Sequence, residues 1–229
     1  MNTVIDGAAR FRCDVFPEQE GLYRRLSREG QQPSALVISC ADSRVIPEQI
    51  MQSGPGEIFV CRNAGNIVPA TAQVLGGVSA SIEYAVVVLG VRDIVVCGHS
   101  DCGAMKALLK PESLVGMPNV QAWLRHSEAA RCIVCDAYPN SEGPEAVRAL
   151  AMENVALQLN HLRTHPSVAS RIARGEITLH GWFFDLETGG IMALDGQLGR
   201  FVPIDGADTM PVALAASPRQ VTTIAAAAE

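Results

Sequence analysis

Short apolar runs rich in β-branched residues alternate with longer amphipathic segments along this chain. Because the runs at 35–39 and 94–98 lack polar alternation, they predict strands buried on both faces, as in a parallel sheet. After a turn at 185–190, a further apolar run at 191–194 predicts an antiparallel edge strand. The pattern therefore predicts an α/β fold with a central, mostly parallel four-stranded sheet, an antiparallel edge strand and flanking helices. The four parallel strands are expected at 35–39, 57–62, 94–98 and 177–184.

The N-terminal segment, residues 1–30, predicts a helical arm attached to the sheet domain. Apolar side chains recur there at roughly helical spacing, among them Phe11, Val15 and Leu22. An arm of this kind packs either on its own subunit or on a partner chain, and the pattern favours neither. The apolar sheet elements and this arm together predict a homo-oligomer built from dimers.

The chain is predicted to form a single domain over 1–229, and two further segments of it allow structural predictions. Gly76 and Gly77 open a helix expected at 78–89, whose residues are small and apolar nearly all round. A helix of that composition is expected to be buried on most sides. The last residues, 205–229, are first rich in Pro and then in Ala, which predicts a loosely held tail.

Chemically distinctive residues follow two of the predicted strands directly. Cys40 ends the run at 35–39, and His99 ends the run at 94–98, with Cys102 three residues later at the start of the next helix. In a parallel sheet the carboxyl ends of the strands lie at one edge, which is where open α/β sheets bind ligands. Cys40 and His99 are therefore expected to meet if their strands are neighbours.

The residue types at this edge predict a zinc site. Two thiolates and an imidazole favour zinc over magnesium or calcium, and three firm ligands with one exchangeable position are typical of catalytic zinc. Asp42 taken alone is more easily explained as a cap of the following helix. Its position beside Cys40 and Arg44 instead favours a role at the metal.

Composition excludes several classes of function and location. The 229 residues carry a net charge of −6 without a basic stripe, so nucleic-acid binding is not expected. No apolar run approaches the ~20 residues of a membrane span, and the N-terminus lacks the features of a signal peptide. The seven cysteines form no disulfide-like framework, which favours free thiols and metal thiolates. A cytoplasmic protein without membrane partners is expected.

The remaining cysteines are interpreted as structural. Cys132 and Cys135 form a Cys-x-x-Cys pair, but no second pair follows at zinc-finger spacing. Their helical setting favours two small residues on a helix, with a second metal site or a redox role as the alternatives. Cys13, Cys61 and Cys97 lie in apolar surroundings and are expected to pack.

Three motifs together resemble those of the β-class carbonic anhydrases. They are Cys-Ala-Asp-Ser-Arg at 40–44, Arg-Asn-Ala-Gly-Asn at 62–66 and Gly-His-Ser-Asp-Cys-Gly at 98–103. The likeness covers roughly residues 3–204 and is similar to the bacterial cyanate-operon enzymes and to the plant enzymes. The order and separation of the motifs make the resemblance highly specific.

The resemblance implies one zinc ion per chain, held by Cys40, His99 and Cys102. It also implies that Asp42 pairs with Arg44 and acts beside the metal, and that the site lies near a subunit interface. One subtype of the family lets this carboxylate become a fourth ligand in a closed state. That subtype carries Trp where this chain has Val37, so an open metal position is expected here.

The match to the plant-like subtype implies a pocket for a small apolar substrate. Phe59, Tyr84 and Ala64 are expected to form its apolar walls, and Gln31 to donate a hydrogen bond to a substrate oxygen. Gln32 is an alternative to Gln31 after a one-residue shift. Gly103, which has no side chain, is expected to let a backbone N–H approach the same region.

The function predicted from these residues is reversible hydration of carbon dioxide to bicarbonate and a proton through a zinc-bound hydroxide. Asp42, kept ionised by Arg44, is expected to orient the hydroxide. Because two thiolates offset the metal's charge, activity is expected to rise toward mildly alkaline pH. The alternative is a zinc hydrolase of the same fold acting on carbonyl sulfide or carbon disulfide. A non-enzymatic zinc or redox module is a weaker alternative.

Overall fold

Six strands form one mixed sheet in the computed structural model, which describes residues 3–71 and 76–204. The strands are Ala35–Cys40 (β1), Ile58–Asn63 (β2), Asp93–His99 (β3), Thr178–Phe184 (β4), Ile191–Asp195 (β5) and Arg200–Pro203 (β6). Their order across the sheet is β2-β1-β3-β4-β5-β6, and the first four are parallel. The tail predicted at 205–229 lies outside the described residues.

The antiparallel part of the sheet differs from the prediction in one respect. The four parallel strands and the antiparallel direction of β5 are confirmed. The prediction that β5 is the edge strand is wrong, because β6 pairs with its far side in antiparallel register. β6 is a four-residue strand that contains Arg200 and Pro203, so it lacks the apolar run by which the longer strands are recognised.

The register of the central strands aligns their carboxyl ends. Ser39 of β1 lies opposite Cys97 of β3, and Cys40 lies opposite Asn63 of β2. Cys40 is therefore the last residue of β1 at the edge where β3 reaches His99. The parallel pairing thus brings together two positions that are 59 residues apart in sequence.

Helices connect the strands and cover the sheet. None of the described helices is both long enough and apolar enough to cross a membrane. The helices are Thr3–Arg10 (α1), Phe16–Glu29 (α2), Pro47–Ile50 (α3), Gly77–Glu83 (α4), Gly103–Leu109 (α5), Pro118–Leu124 (α6), Glu128–Ala137 (α7), Gly143–Leu162 (α8) and Pro166–Ala173 (α9).

The longest helix, α8, packs across β3 and β4 and buries one side of the central sheet. The close approach depends on glycine in both strands. A Cβ at Gly98 would lie 2.8 Å from Val155 Cγ2, and one at Gly181 would lie 2.9 Å from both Val155 Cγ1 and Leu159 Cδ1. The two glycines therefore let the helix lie close enough to present polar side chains beside the site edge.

The N-terminal arm is helical, as predicted. α1 and α2 are joined by the π-helical segment Phe11–Val15, and no residue of these three elements is buried within the described chain. The rings of Phe11, Phe16 and Tyr23 contact one another, with centroids 5.6–6.3 Å apart. The arm therefore packs mainly on itself in the single chain.

The helix predicted at 78–89 begins as α4 and continues as the π-helical segment Tyr84–Val88. The prediction that it is buried on most sides is wrong for the single chain. Tyr84, Val87 and Val88 are 46%, 55% and 63% exposed, while Ile82, Ala85 and Val86 are fully buried. Among the described residues, none covers the apolar outer face of this helix.

Candidate metal centre

Cys40, His99 and Cys102 meet at the carboxyl edge of the sheet. Their ligand atoms all lie within 4.8 Å of one another, and all three residues are buried. β1 and β3 supply the first two, and Cys102 is the residue immediately before α5. Two sulfur atoms and an imidazole nitrogen at this spacing suit tetrahedral zinc, which binds these atom types at about 2.0–2.3 Å.

The orientation of His99 also fits a metal ligand. Its Nδ1 lies 2.8 Å from the carbonyl oxygen of Ser100, which accepts a hydrogen bond, so Nδ1 carries the proton. Nε2 is then the lone-pair nitrogen, and it is buried without a hydrogen-bond partner in the described structure. A metal-binding histidine is commonly fixed through its other nitrogen in this way.

The two thiols are electrostatically linked. The S–H of Cys102 hydrogen-bonds the Cys40 sulfur and lowers the pKa of the Cys40 thiol, to which the backbone N–H of Gly65 also donates at 3.4 Å. That contact with Cys40, together with burial, raises the pKa of Cys102. The pair thus readily holds one negative charge as a thiolate. A bound divalent cation would favour deprotonation of the second thiol.

Asp42 is held by Arg44 through three hydrogen bonds. Arg44 donates from its backbone N and its Nε to Asp42 Oδ1, at 3.0 and 2.9 Å, and from Nη2 to Oδ2 at 2.8 Å. These bonds hold the pKa of Asp42 well below its ordinary value. Asp42 does not cap α3, because that helix begins after Ile46 without a side-chain cap.

Asp101 is a second carboxylate on the same guanidinium. Arg44 Nη1 donates to Asp101 Oδ2 at 3.0 Å, and Lys106 pairs with the other oxygen. Asp101 has a φ of +58°, in the left-handed region, which directs its side chain back over Arg44. Arg44 is therefore fixed between two acidic groups, one of which lies two residues after Cys40 in the sequence.

The loop after β2 contacts the site through its backbone. Arg62 donates to the carbonyl oxygens of Cys40 (3.1 Å) and Asp42 (2.8 Å), although its side chain is exposed rather than buried. Gly65 has a φ of +82°, and a Cβ there would lie 3.1 Å from Ala104 Cβ and 3.1 Å from Met105 Cε. Only glycine fits this position, and it directs an N–H at Cys40.

Two buried polar residues of α8 hold this loop from behind. Asn154 Nδ2 donates to the carbonyl oxygen of Gly65 at 2.9 Å, and Gln158 Oε1 accepts from Val68 N at 2.9 Å. Asn154 Oδ1 in turn accepts from Ser127 Oγ and from Gln158 Nε2, at 2.7 and 2.8 Å. The side-chain amides are thereby fixed, and Asn154 holds Gly65, the residue whose N–H donates to Cys40, by its carbonyl oxygen.

Two of the five predicted pocket residues lie at this edge of the sheet. Ala64 adjoins Gly65, and its carbonyl oxygen accepts a 2.8 Å hydrogen bond from Trp123 Nε1. Gly103 follows Cys102, and a Cβ built on it meets no atom within 4 Å. Open space therefore lies next to the metal ligands.

The other three predicted pocket residues lie toward the amino end of β1, away from Cys40 in the same chain. Phe59 is opposite Leu36, four residues before Cys40, or about 13 Å along the strand. Tyr84 stacks near it, with ring centroids 6.0 Å apart, and Gln31 precedes the start of β1. Within one chain, the structure does not bring Gln31, Phe59 and Tyr84 to the metal centre.

The other cysteines divide into two groups. All seven cysteines are free, as predicted. Cys61 is half-buried and Cys97 is buried, where burial raises the pKa of Cys97 to about 12, so the packing role is confirmed for these two. The same prediction is wrong for Cys13, which is exposed on the arm. Cys132 and Cys135 are likewise exposed.

Sequence reasoning missed the residues that act on the site from α8. Asn154 and Gln158 look like ordinary polar positions of an amphipathic helix, yet they are 1% and 0% exposed. Their apolar neighbours Val155 and Leu159 marked the buried side of the helix. Two amide side chains one turn apart on that buried side could have indicated a polar contact with another segment, because buried amides require hydrogen-bond partners.

Comparison with known proteins places the chain in a family. The family model described as carbonic anhydrase matches residues 35–191. A carbonic anhydrase of Pseudomonas aeruginosa is 51% identical over 204 residues, covering 89% of this chain and 92% of the relative. The structure of the β-carbonic anhydrase CcaA has a TM-score of 0.85 and 45% identity, covering 89% of this chain and 91% of that one.

A second solved structure, one of two tetrameric β-carbonic anhydrases from Sordaria macrospora, has a TM-score of 0.72 and 29% identity. It covers 86% of this chain and 96% of that chain. With the Cys-His-Cys cluster, these matches show that the chain belongs to the β-class carbonic anhydrases. The narrower likeness to cyanate-operon enzymes stays a prediction.

The Asn154 contact generates a testable prediction about metal binding. Asn154→Leu removes the donor to the Gly65 carbonyl at similar volume, so the N–H that supports Cys40 loses its fixed position. Zinc affinity is expected to fall roughly 10–100-fold, the usual effect of losing a group that orients a metal ligand. Competition of the zinc-loaded protein with a chromogenic chelator measures it.

Asn160→Leu is the matched control, since Asn160 is exposed near the end of the same helix. Asn154→Asp keeps the acceptor oxygens but lacks the donor, so it should behave like Asn154→Leu. Wild-type zinc affinity in both Asn154 variants, with folding intact by circular dichroism, would contradict the role assigned to this contact.

Proposed function

We propose that this chain catalyses the reversible hydration of carbon dioxide to bicarbonate and a proton. The observation that carries the proposal is the buried Cys40-His99-Cys102 cluster with an arginine-held carboxylate, Asp42, beside it. Family membership supports the same reaction. One zinc ion per chain is the cofactor that the donor set fits best.

Zinc held by these residues would supply an acidified water as the nucleophile toward carbon dioxide. Cys40, His99 and Cys102 bind the metal, and the Gly65 N–H supports the Cys40 sulfur. Asp42 stays ionised across the physiological range, because its pKa lies below the ordinary value. It therefore acts as a hydrogen-bond acceptor that orients the attacking group.

Arg44 decides which role Asp42 takes. Its backbone N, Nε and Nη2 hold both carboxylate oxygens of Asp42, so these bonds would have to break for Asp42 to become a metal ligand, whereas Oδ2, which accepts one of them, can still accept another from the attacking group. Asp101 and Lys106 fix the far side of the guanidinium. This arrangement supports an open fourth position rather than the closed state in which Asp42 is a ligand.

We further propose that the substrate pocket is completed by a partner subunit. Gln31, Phe59 and Tyr84 lie too far from Cys40 to act within one chain, as described above. The outer face of the Tyr84–Val88 segment is exposed in the part of the chain that the structure describes, and no residue of the arm is buried there. The tetrameric relatives support an assembly in which one chain lends these residues to the site of another.

The proposed function predicts fast carbon dioxide hydration by protein that holds one zinc per chain. The test is a stopped-flow measurement with a pH indicator, together with metal analysis of the same sample. The hydration rate is expected to rise from pH 6 to pH 9. Assays with carbonyl sulfide and carbon disulfide serve as the comparison. The proposal would be contradicted if either sulfur compound were turned over faster than carbon dioxide. It would also be contradicted if the zinc-loaded protein did not raise the hydration rate above the uncatalysed rate.

Arg44→Ala is expected to lose most turnover while retaining zinc, because Asp42 loses its orientation but no ligand changes. The pKa of Asp42 would rise only toward its ordinary value near 3.8, so Asp42 would remain ionised at pH 7. Raising the pH to 9 should therefore not restore the rate. Loss of zinc with the activity would instead indicate a structural role for Arg44. Arg174→Ala is the control, because Arg174 is exposed and also pairs with a carboxylate, Glu176, through Nε and Nη2.

Subunit complementation tests the shared pocket. A His99→Ala chain and a Gln31→Ala/Tyr84→Ala chain are coexpressed with different affinity tags, and doubly tagged assemblies are purified. Each mixed dimer should contain one intact site of two, giving about half of the wild-type activity. His99→Ala paired with Cys40→Ser should recover nothing, since both changes damage the same centre. Equal inactivity of the two mixtures would contradict the shared pocket.

A further inference from the structure

Helix α7 carries two thiols that the metal centre does not use. Cys132 and Cys135 are exposed, whereas Ala130 and Val134 of the same helix are buried against the rest of the chain. The two cysteines therefore lie on the outer side of the helix, one turn apart. Reagents in solution can therefore reach these two sulfurs, whereas Cys40 and Cys102 are buried.

The geometry points to Cys132 and Cys135 as a redox-active pair, which we propose exchanges with low-molecular-weight disulfides to form a reversible bond within the chain. In an α-helix of 2.3 Å radius and 1.5 Å rise, Cα atoms three residues apart are about 5 Å apart. Disulfides span Cα separations of about 4.4–6.8 Å. The backbone spacing of this pair thus already suits a bond.

The Cβ atoms require a small local adjustment. Helix neighbours three residues apart have Cβ atoms about 5–6 Å apart, and a disulfide needs about 3.5–4.5 Å. Cys135 lies two residues before the end of α7 at Ala137, where helices fray most easily. The adjustment therefore falls in the last turns of α7, and the buried contacts of Ala130, two residues before Cys132, stay in place.

Charged neighbours assign different roles to the two sulfurs. Arg131 and Glu128 form an ion pair whose two ends face different sulfurs: Arg131 Nη1 lies 3.7 Å from Cys135 Sγ, whereas Glu128 Oε1 lies 3.9 Å from Cys132 Sγ. Glutathione disulfide is anionic, so it is attracted to the side of Arg131 and repelled by Glu128. Cys135 is accordingly the sulfur that first attacks, and Cys132 the one that resolves.

The exchange balances in two steps. The Cys135 thiolate attacks one sulfur of glutathione disulfide, which forms a mixed disulfide and releases one glutathione thiolate. The Cys132 thiolate then attacks Cys135 Sγ, which forms the internal bond and releases the second glutathione. The protein loses two electrons and two protons, and the external disulfide is reduced to two thiols.

Zinc-loaded protein treated with glutathione disulfide tests the proposal, with peptide masses as the readout. Trypsin places both cysteines in peptide 132–148 and Cys13 in peptide 13–24. Peptide 132–148 is expected to lose two hydrogens and carry no glutathione, and reduction by dithiothreitol should reverse this. Cys13, which is exposed but has no cysteine one turn away, is the internal control and should retain a glutathione adduct.

Single variants separate the roles of the two sulfurs. Cys132→Ser should accumulate the glutathione adduct at Cys135, and Cys135→Ser should react more slowly at Cys132. Adducts on both cysteines of the wild-type protein, or no change in peptide 132–148 when Cys13 has reacted, would overturn the proposal. A disulfide between two chains on a non-reducing gel would overturn it as well. Because hydration activity is not the readout, the outcome is independent of the proposed function.

Discussion

The parallel pairing of β1 with β3 is the constraint on which the site depends. Because both strands run in the same direction, Cys40 and His99 emerge at one edge, and the turn after β3 returns Cys102 to the same place. A shift of one residue in this pairing would turn every side chain of one strand to the other face. The fully buried side chains of β1 and β3 make such a shift costly, so the core fixes the spacing of the ligands.

Polar groups behind this edge are organised by the same core. Asn154 and Gln158 stand among apolar side chains of α8, where an unpaired amide would cost about 1–3 kcal/mol. Each finds its partner in the backbone of the loop after β2. The position of the Gly65 N–H therefore depends on how α8 packs on the sheet. The glycines of β3 and β4 permit it, since they allow the helix to approach.

Much of the fold and the ligand set could be predicted from sequence because both rest on local signals. Apolar runs followed at once by Cys40 or His99 mark strand ends, and topology then requires those ends to meet. The contacts of Asn154 could not be predicted, since they depend on which loop packs against its helix. β6 was missed because a short edge strand with Arg200 and Pro203 lacks a continuous apolar run. The exposure of the Tyr84 face could not be predicted, because its small and apolar residues have the composition of a buried helix.

The two glycines nearest the ligands differ in how much change they allow. Gly65 combines a left-handed backbone with neighbours 3.1 Å from a built Cβ, so any side chain there would be strained. Gly103 has neither restriction within the chain, and the space above it is open. For protein engineering, position 103 is consequently the place to vary the space beside the Cys40-His99-Cys102 cluster. Ala, Ser or Thr there would narrow the entrance without disturbing the loop that supports Cys40.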